Sequence, residues 1–235
     1  MASLPTTNTT ASKTITHAQE IVHLTAADEH RKNFSLTTID SAGGKGREIF
    51  LPGVHSDIGG SYREGASEDQ DIYWTMDTNG KEKAQAESTA LTHAGWYKAH
   101  ELTITESPLG QGQLYGLTEV NLHAQRSNIS NQYSRIPLHI MARFARESEL
   151  VFKSKLARRE KIPPALELAY EEILAYVSQH QAKGAYSSQP EHWHDNQRLW
   201  LCALRYRYFH FSARLEIGNG PRLKNGKRQR EYHDG

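Results

Sequence analysis

Three polar residues in a row, His55, Ser56 and Asp57, follow an apolar run at Glu48-Ile49-Phe50-Leu51 and precede the pair Gly59-Gly60. A histidine near neutrality can accept and return a proton, so a loop-borne imidazole beside a carboxylate suits general acid-base work in hydrolysis. Gly59 and Gly60 let the backbone turn sharply around that histidine. On residue types alone, a loop whose His and Asp satisfy backbone groups stands beside the catalytic reading. A nucleophile is harder to place. Gly59-Gly60-Ser61-Tyr62-Arg63 has a glycine two before the serine, but Arg63 two after it breaks the strand-turn-helix elbow that displays a reactive serine.

Two further chemistries can be weighed. The 13 histidines include His55-x-Asp57 and His192-Trp193-His194-Asp195, which offer the ligand types of a zinc site without a recognised spacing, so no metal is expected. Ser41-Ala42-Gly43-Gly44-Lys45-Gly46 looks like a phosphate cradle but lacks the full Gly-x-x-x-x-Gly-Lys-Ser/Thr pattern, and no cofactor is expected. His93 and His100 lie one heptad apart and would share a helix face, most simply a solvated one.

The elements that must position these residues can be sketched from pattern. Glu48 to Leu51 reads as a buried strand ended by Pro52-Gly53, which puts His55 just beyond its carboxyl end, where open α/β sheets bind ligands. Residues 16–34 have loose helical spacing at Ile21, Val22, Leu24 and Ala27, so one helix is expected there, with Asp28 to Lys32 exposed or facing a partner. Residues 64–80 are acidic and contain Asn79-Gly80, which suggests a surface loop or hairpin. Helices are expected over 85–102, interrupted at Gly95, and over 136–152, 165–179 and 191–204, with a strand over 114–124. An aromatic cluster at Tyr206, Tyr208, Phe209 and Phe211 follows.

Composition sets bounds. A net charge of +1 argues against a general nucleic-acid or membrane-surface role, and 37% hydrophobic residues with a mean hydropathy of -0.71 is lean for a self-sufficient core. The single Cys202 can form neither an internal disulfide nor a zinc cluster and is expected as a buried small hydrophobe. No run has the length of a membrane span and no signal-peptide layout opens the chain, so it is expected to be cytoplasmic as made. Residues 1–15 read as a flexible leader, 16–221 as the folded part, and 222–235 as a basic, solvated tail for which weak contact with anionic headgroups is the functional alternative.

The stretch Pro52-Gly53-Val54-His55-Ser56-Asp57-Ile58-Gly59-Gly60-Ser61-Tyr62 closely resembles the signature Pro-Gly-Val-His-Ser-Asp-Val-Gly-Gly-Gly-Tyr of the phospholipase effectors of bacterial type VI secretion systems. A second block, His23-Leu24-Thr25-Ala26-Ala27-Asp28-Glu29-His30-Arg31-Lys32-Asn33-Phe34, resembles the family at the expected distance. Weaker similarity runs through residues 131–138 and 208–213. The resemblance implies an α/β fold, here a partial α/β-hydrolase-like sheet with a substantial added helical layer, and glycerophospholipid ester hydrolysis.

It also implies that His55 is the general base of a Ser-acid-His triad. The family's serine elbow and Trp-Asp-Thr acid segment precede both blocks. Here Trp74-Thr75-Met76-Asp77-Thr78 matches the acid segment only loosely and falls after the histidine. Asp57 is then expected to brace the glycine turn through backbone groups, in a supporting role. The chain is therefore expected to be the C-terminal portion of a serine hydrolase, inactive alone. Expected partners are phospholipid, an upstream-encoded hydrolase half, a secretion component delivering it through a type VI system, or an immunity protein, and no nucleic acid. The alternative is a noncatalytic binding or immunity-like module that contacts a cognate effector or secretion component.

Overall fold

The computed structural model describes residues 15, 17–108, 118–150, 160–182, 189–215, 220–224 and 227–233; the expected leader, the start of the strand expected from 114 and the end of the helix expected to 152 lie outside them. Strand β1 (Ile21–Ala26) pairs in parallel with β3 (Gly46–Leu51), from Ile21 opposite Gly46 to Ala26 opposite Leu51. The helix expected over 16–34 is therefore a strand followed by a turn. Its loose helical spacing came from a short apolar run enriched in β-branched Ile21, Val22 and Thr25, and such a run fits a parallel strand as well as a helix. In the sequence, the two-residue β2 (Leu36–Thr37) comes between these strands without joining their pair.

A second sheet is antiparallel, in the order β4 (Ala66–Thr75), β6 (Thr118–Ile129), β5 (Leu102–Pro108). Most of the segment expected over 64–80 as a surface loop or hairpin is thus a ten-residue strand, paired with the distant β6. Its inward positions hid it, because two of them, Glu68 and Gln70, are polar yet buried beside apolar Ile72. They are tolerated because they are paired: Arg126 of β6 donates from Nε to Glu68 Oε2 at 2.8 Å, Tyr97 donates its hydroxyl to the same oxygen at 2.8 Å, and Gln70 donates to the Phe211 carbonyl at 2.8 Å. The Val120, Leu122, Ala124 alternation is buried as expected and continues to Arg126.

Helix α1 (His55–Gly59) follows β3, and α2 (Gly80–His93) follows β4. Gly95, at φ +81°, ends the second helix, and a Cβ there would stand 2.6 Å from Cys202 Cα and carbonyl oxygen. The long helix expected over 85–102 is stopped by that contact, so His93 and His100 sit on different elements. Cys202 is half-buried rather than buried. Three further helices, α3 (Arg135–Glu147), α4 (Glu167–Gln179) and α5 (Leu199–Tyr208), bury Ile136, Ile140, Phe144, Ile173, Val177, Leu201 and Leu204 in the common core. The helix expected over 191–204 is split: a 3-10 turn at Pro190–His194 precedes α5.

The basic segment from Arg222 is folded back rather than solvated. Leu223–Lys224 pairs with Lys227–Arg228, Tyr232–His233 pairs with β2, and Arg230 donates to the carbonyls of Phe34 and Ala26. Its arginines are drawn in by acceptors: Arg228 also reaches Glu87 at 2.5 Å, and Arg222 reaches Glu231 at 2.5 Å.

Arg126 carries the most connected charge in the sheet, since it also donates to the carbonyls of Trp96 at 2.8 Å and Phe209 at 2.5 Å. Arg126→Met would leave Glu68 buried with its charge uncompensated, and should cost about 3–5 kcal/mol in urea unfolding. Glu68→Gln with Arg126→Met together should recover part of that loss; equal losses in the single and double variants would show that the pair is not coupled.

Candidate active site

The loop between β3 and α1 is tied at each residue. Gly53 takes φ +100°, a conformation closed to most side chains, and donates its N–H to Asp28 Oδ2 at 2.6 Å while its carbonyl accepts from Asp28 N at 3.1 Å. Asp57 Oδ2 accepts the Val54 N–H at 3.0 Å, and Tyr133 donates its hydroxyl to the Pro52 carbonyl at 2.7 Å. His55 is then the first residue of α1, at the carboxyl edge of the parallel pair.

Asp57 does not touch His55 in this arrangement. It is buried, and besides Val54 it accepts from the backbone N–H of His210 at 3.2 Å and lies 2.8 Å from His210 Nδ1. Burial pushes its carboxyl up to about 6, against the lowering pull of the His210 and Val54 hydrogen bonds. His210 in turn stacks on Tyr62, with ring centroids 3.4 Å apart.

The carboxylate at His55 is Glu29. Its Oε2 lies 2.6 Å from His55 Nδ1, and the side chain is fully buried at 0% exposure. Arg31 donates to it from Nε at 2.9 Å and Nη2 at 3.0 Å, and Ser212 donates its hydroxyl at 3.1 Å. Burial by itself raises the Glu29 carboxyl, but hydrogen bonds from His55 and Arg31 and the Arg31 charge outweigh it and hold the group well below the usual carboxylate range.

Arg31 Nη2 is also 3.0 Å from His55 Nδ1, so one ring nitrogen faces both an anion and a cationic donor. The shorter contact to an ionised carboxylate decides the tautomer: Nδ1 carries the proton and donates to Glu29. That leaves the Nε2 lone pair as an acceptor, 3.1 Å from Ser56 Oγ. Phe34 stacks on the ring at 5.0 Å and holds its plane. His55 is the one member of the group that reaches well into solvent, and it borders a cavity of about 480 Å³ shared with Ser56, Tyr62, Glu68 and His210.

Other candidates fall elsewhere. Ser61 is exposed and follows a helix instead of a strand, with its N–H on the Ser56 carbonyl. Asp77 is exposed and pairs with Lys83 at 2.5 Å. His192 packs on Tyr176 and accepts from Arg198, whereas His194 faces Asp28 and His30. Sequence reasoning missed Glu29, Ser56 and Ser212. Glu29 stands inside the block Ala27-Asp28-Glu29-His30-Arg31, but a helical reading turns its charges outward, and Ser212 meets it only through the tertiary fold.

Comparison with known proteins supplies the setting. Residues 1–87 match the family model described as type VI secretion, phospholipase effector Tle1-like, catalytic domain. No curated protein matches the chain significantly. Among solved structures, the Tle1 effector bound to the VgrG spike of the type VI secretion system is similar, with a TM-score of 0.63 at 20% identity, covering 91% of this chain and 50% of that one. The chain thus spans half the length of that effector and shares its mixed α/β fold over most of its own length. The resemblance to the type VI phospholipase effector family is borne out on the segment that contains both the Glu29 and the His55 blocks.

Glu29→Gln should remove the charge that Arg31 and His55 face, at a cost of about 2–5 kcal/mol at pH 7. The folded-state pKa of Glu29 lies below its unfolded value, so its stabilisation is present above the ordinary carboxylate range and is lost as pH falls through and below it. The stability of the native chain should therefore decline between about pH 5 and pH 3 more steeply than that of Glu29→Gln; parallel curves in chemical unfolding would contradict the assignment.

Proposed function

We propose that this relative of the Tle1-like phospholipase effectors supplies the histidine base of a serine-hydrolase centre, with His55 as the base and Glu29 as the carboxylate that orients it. The observation that carries this reading is the 2.6 Å contact between buried Glu29 and His55 Nδ1, with Nε2 beside Ser56 and both residues bordering the cavity. In the reaction, Nε2 takes the proton of an attacking serine hydroxyl and later returns it to the leaving alcohol. Glu29 keeps the proton on Nδ1 and stabilises the imidazolium that forms between those steps.

The sequence holds no Gly-x-Ser-x-Gly elbow, so the nucleophile in this reading comes from a segment outside these residues. Among the described residues β1 and β3 form a two-stranded parallel pair, which supports it, because parallel strands are ordinarily part of a larger covered sheet of the α/β-hydrolase kind. The substrate class that the family resemblance supports is a glycerophospholipid ester. Binding of the similar Tle1 structure to a VgrG spike supports delivery on a spike of that kind, and among the described residues no helix is long and apolar enough to cross a membrane. A second reading makes Ser56 itself the nucleophile, favoured by its 3.1 Å contact with Nε2.

Hydrolysis of phospholipid micelles and short-chain esters tests both readings. The chain co-expressed with a family segment bearing the serine elbow should be active, His55→Ala should lower kcat by on the order of 10³-fold or more, and Ser56→Ala should leave it within a few fold. Hydrolysis by the lone chain that Ser56→Ala abolishes would transfer the nucleophile to Ser56. Undiminished turnover by His55→Ala would contradict both.

A further inference from the structure

On the far side of Glu29, its two sequence neighbours face a different cavity. Asp28 and His30 lie in the turn after β1, and His194 arrives from the 3-10 turn Pro190–His194. One ligand atom from each of these three side chains lies within 4.8 Å of the other two. We propose that Asp28, His30 and His194 form a binding site for a divalent transition metal of the zinc type.

The donor set fits that ion class. Two imidazoles and one carboxylate suit zinc and its neighbours, whereas calcium and magnesium take all-oxygen shells. The carboxylate is already oriented: Asp28 Oδ2 accepts the Gly53 N–H at 2.6 Å, which leaves Oδ1 on the His194 side, 3.9 Å from Nε2. Outer contacts of this sort fix the ligands of metal sites. Among the described residues, none gives buried His30 Nδ1 a hydrogen-bond partner, a cost that a metal bond at that nitrogen would remove.

Ligands of a tetrahedral zinc stand about 3.3 Å apart, so the cluster has to close by up to about 1.5 Å. His194 can supply that movement. Its side chain is 40% exposed, and among the described residues its Nε2 is otherwise engaged only by a long 3.3 Å contact with the Ala27 carbonyl, which metal binding through Nε2 would replace. Arg228, on the same cavity wall, opposes a cation, but its guanidinium is taken up by Glu87 at 2.5 Å.

Three ligands on one wall of a cavity of about 510 Å³ leave the remaining coordination positions open to it. The spacing of these residues in the sequence gives no hint of the site, since the third ligand is 164 positions from the second. The site would also join the turn that bears Glu29 to the segment before α5, so its occupancy would brace the carboxylate under His55.

The test uses the whole chain, stripped with chelator and titrated with zinc alone against a chromophoric chelator, and separately with cobalt. One zinc per chain with micromolar or tighter affinity is expected, together with visible cobalt bands of tetrahedral or five-coordinate intensity. His194→Ala, at a half-exposed position, should keep the native circular dichroism and weaken zinc at least tenfold, and His30→Gln should do the same, while His100→Ala should change nothing. Absence of saturable zinc binding below about 100 μM, or affinity that His194→Ala leaves intact, would overturn the proposal. Because the readout is metal affinity, failure here leaves the assignment of His55 untouched, and failure of hydrolysis leaves this site untouched.

Discussion

A carboxylate removed entirely from water must be paired, and Glu29 is that group here. Its two oxygens are satisfied by Arg31, Ser212 and His55, each from a different part of the chain. Arg31 comes from the same turn, His55 from the start of α1 and Ser212 from the segment after α5. The charge therefore acts as a meeting point that makes sense only when β1 and β3 are in register and the 209–212 segment is in place. Breaking any one contact leaves buried negative charge behind. The penalty for that is what holds the imidazole in one orientation.

The 209–212 segment is fixed by a second buried charge pair. Arg126 donates to the Phe209 carbonyl and Glu68 accepts the Phe211 N–H at 2.6 Å, so the antiparallel sheet grips both ends of a short extended stretch. Between those points His210 pairs with Asp57, and just beyond them Ser212 reaches Glu29. The two sheets thus communicate with the histidine loop through hydrogen bonds to one backbone segment. Apolar packing of Phe209 against Tyr133 and Trp96 excludes water from these contacts and strengthens them.

Much of the local structure was legible from pattern. The β3 strand, the turn at Pro52-Gly53, the alternation at Val120, Leu122 and Ala124, and the helices α3 and α4 follow from apolar spacing and glycine or proline punctuation. What failed did so for physical reasons. Strand β4 puts Glu68 and Gln70 on its inner face, so its alternation is invisible to hydropathy; only the knowledge that Arg126 and Tyr97 stand opposite reveals it. The β1 segment is short and apolar, and helix and strand templates cannot be told apart there. The basic segment after Arg222 was legible as charge, but its pairing with β2 and Glu87 is tertiary. At the site, the histidine announced itself by its glycine-rich setting, whereas its carboxylate partner lay 26 residues earlier, in a segment whose charges the expected helix turned outward.

The central claim is that Glu29 holds the proton of His55 on Nδ1 and leaves Nε2 free to act as a base. Long-range proton–nitrogen correlation spectra of the native chain, compared with His55→Gln to assign the ring, measure this directly at a pH where the imidazole is neutral. The account predicts the Nδ1–H tautomer for His55 in the native chain and a shift toward a mixture in Glu29→Gln. A native His55 in the Nε2–H tautomer would contradict it, because the lone pair on Nδ1 would then face a carboxylate at 2.6 Å and the nitrogen assigned as base would already carry a proton.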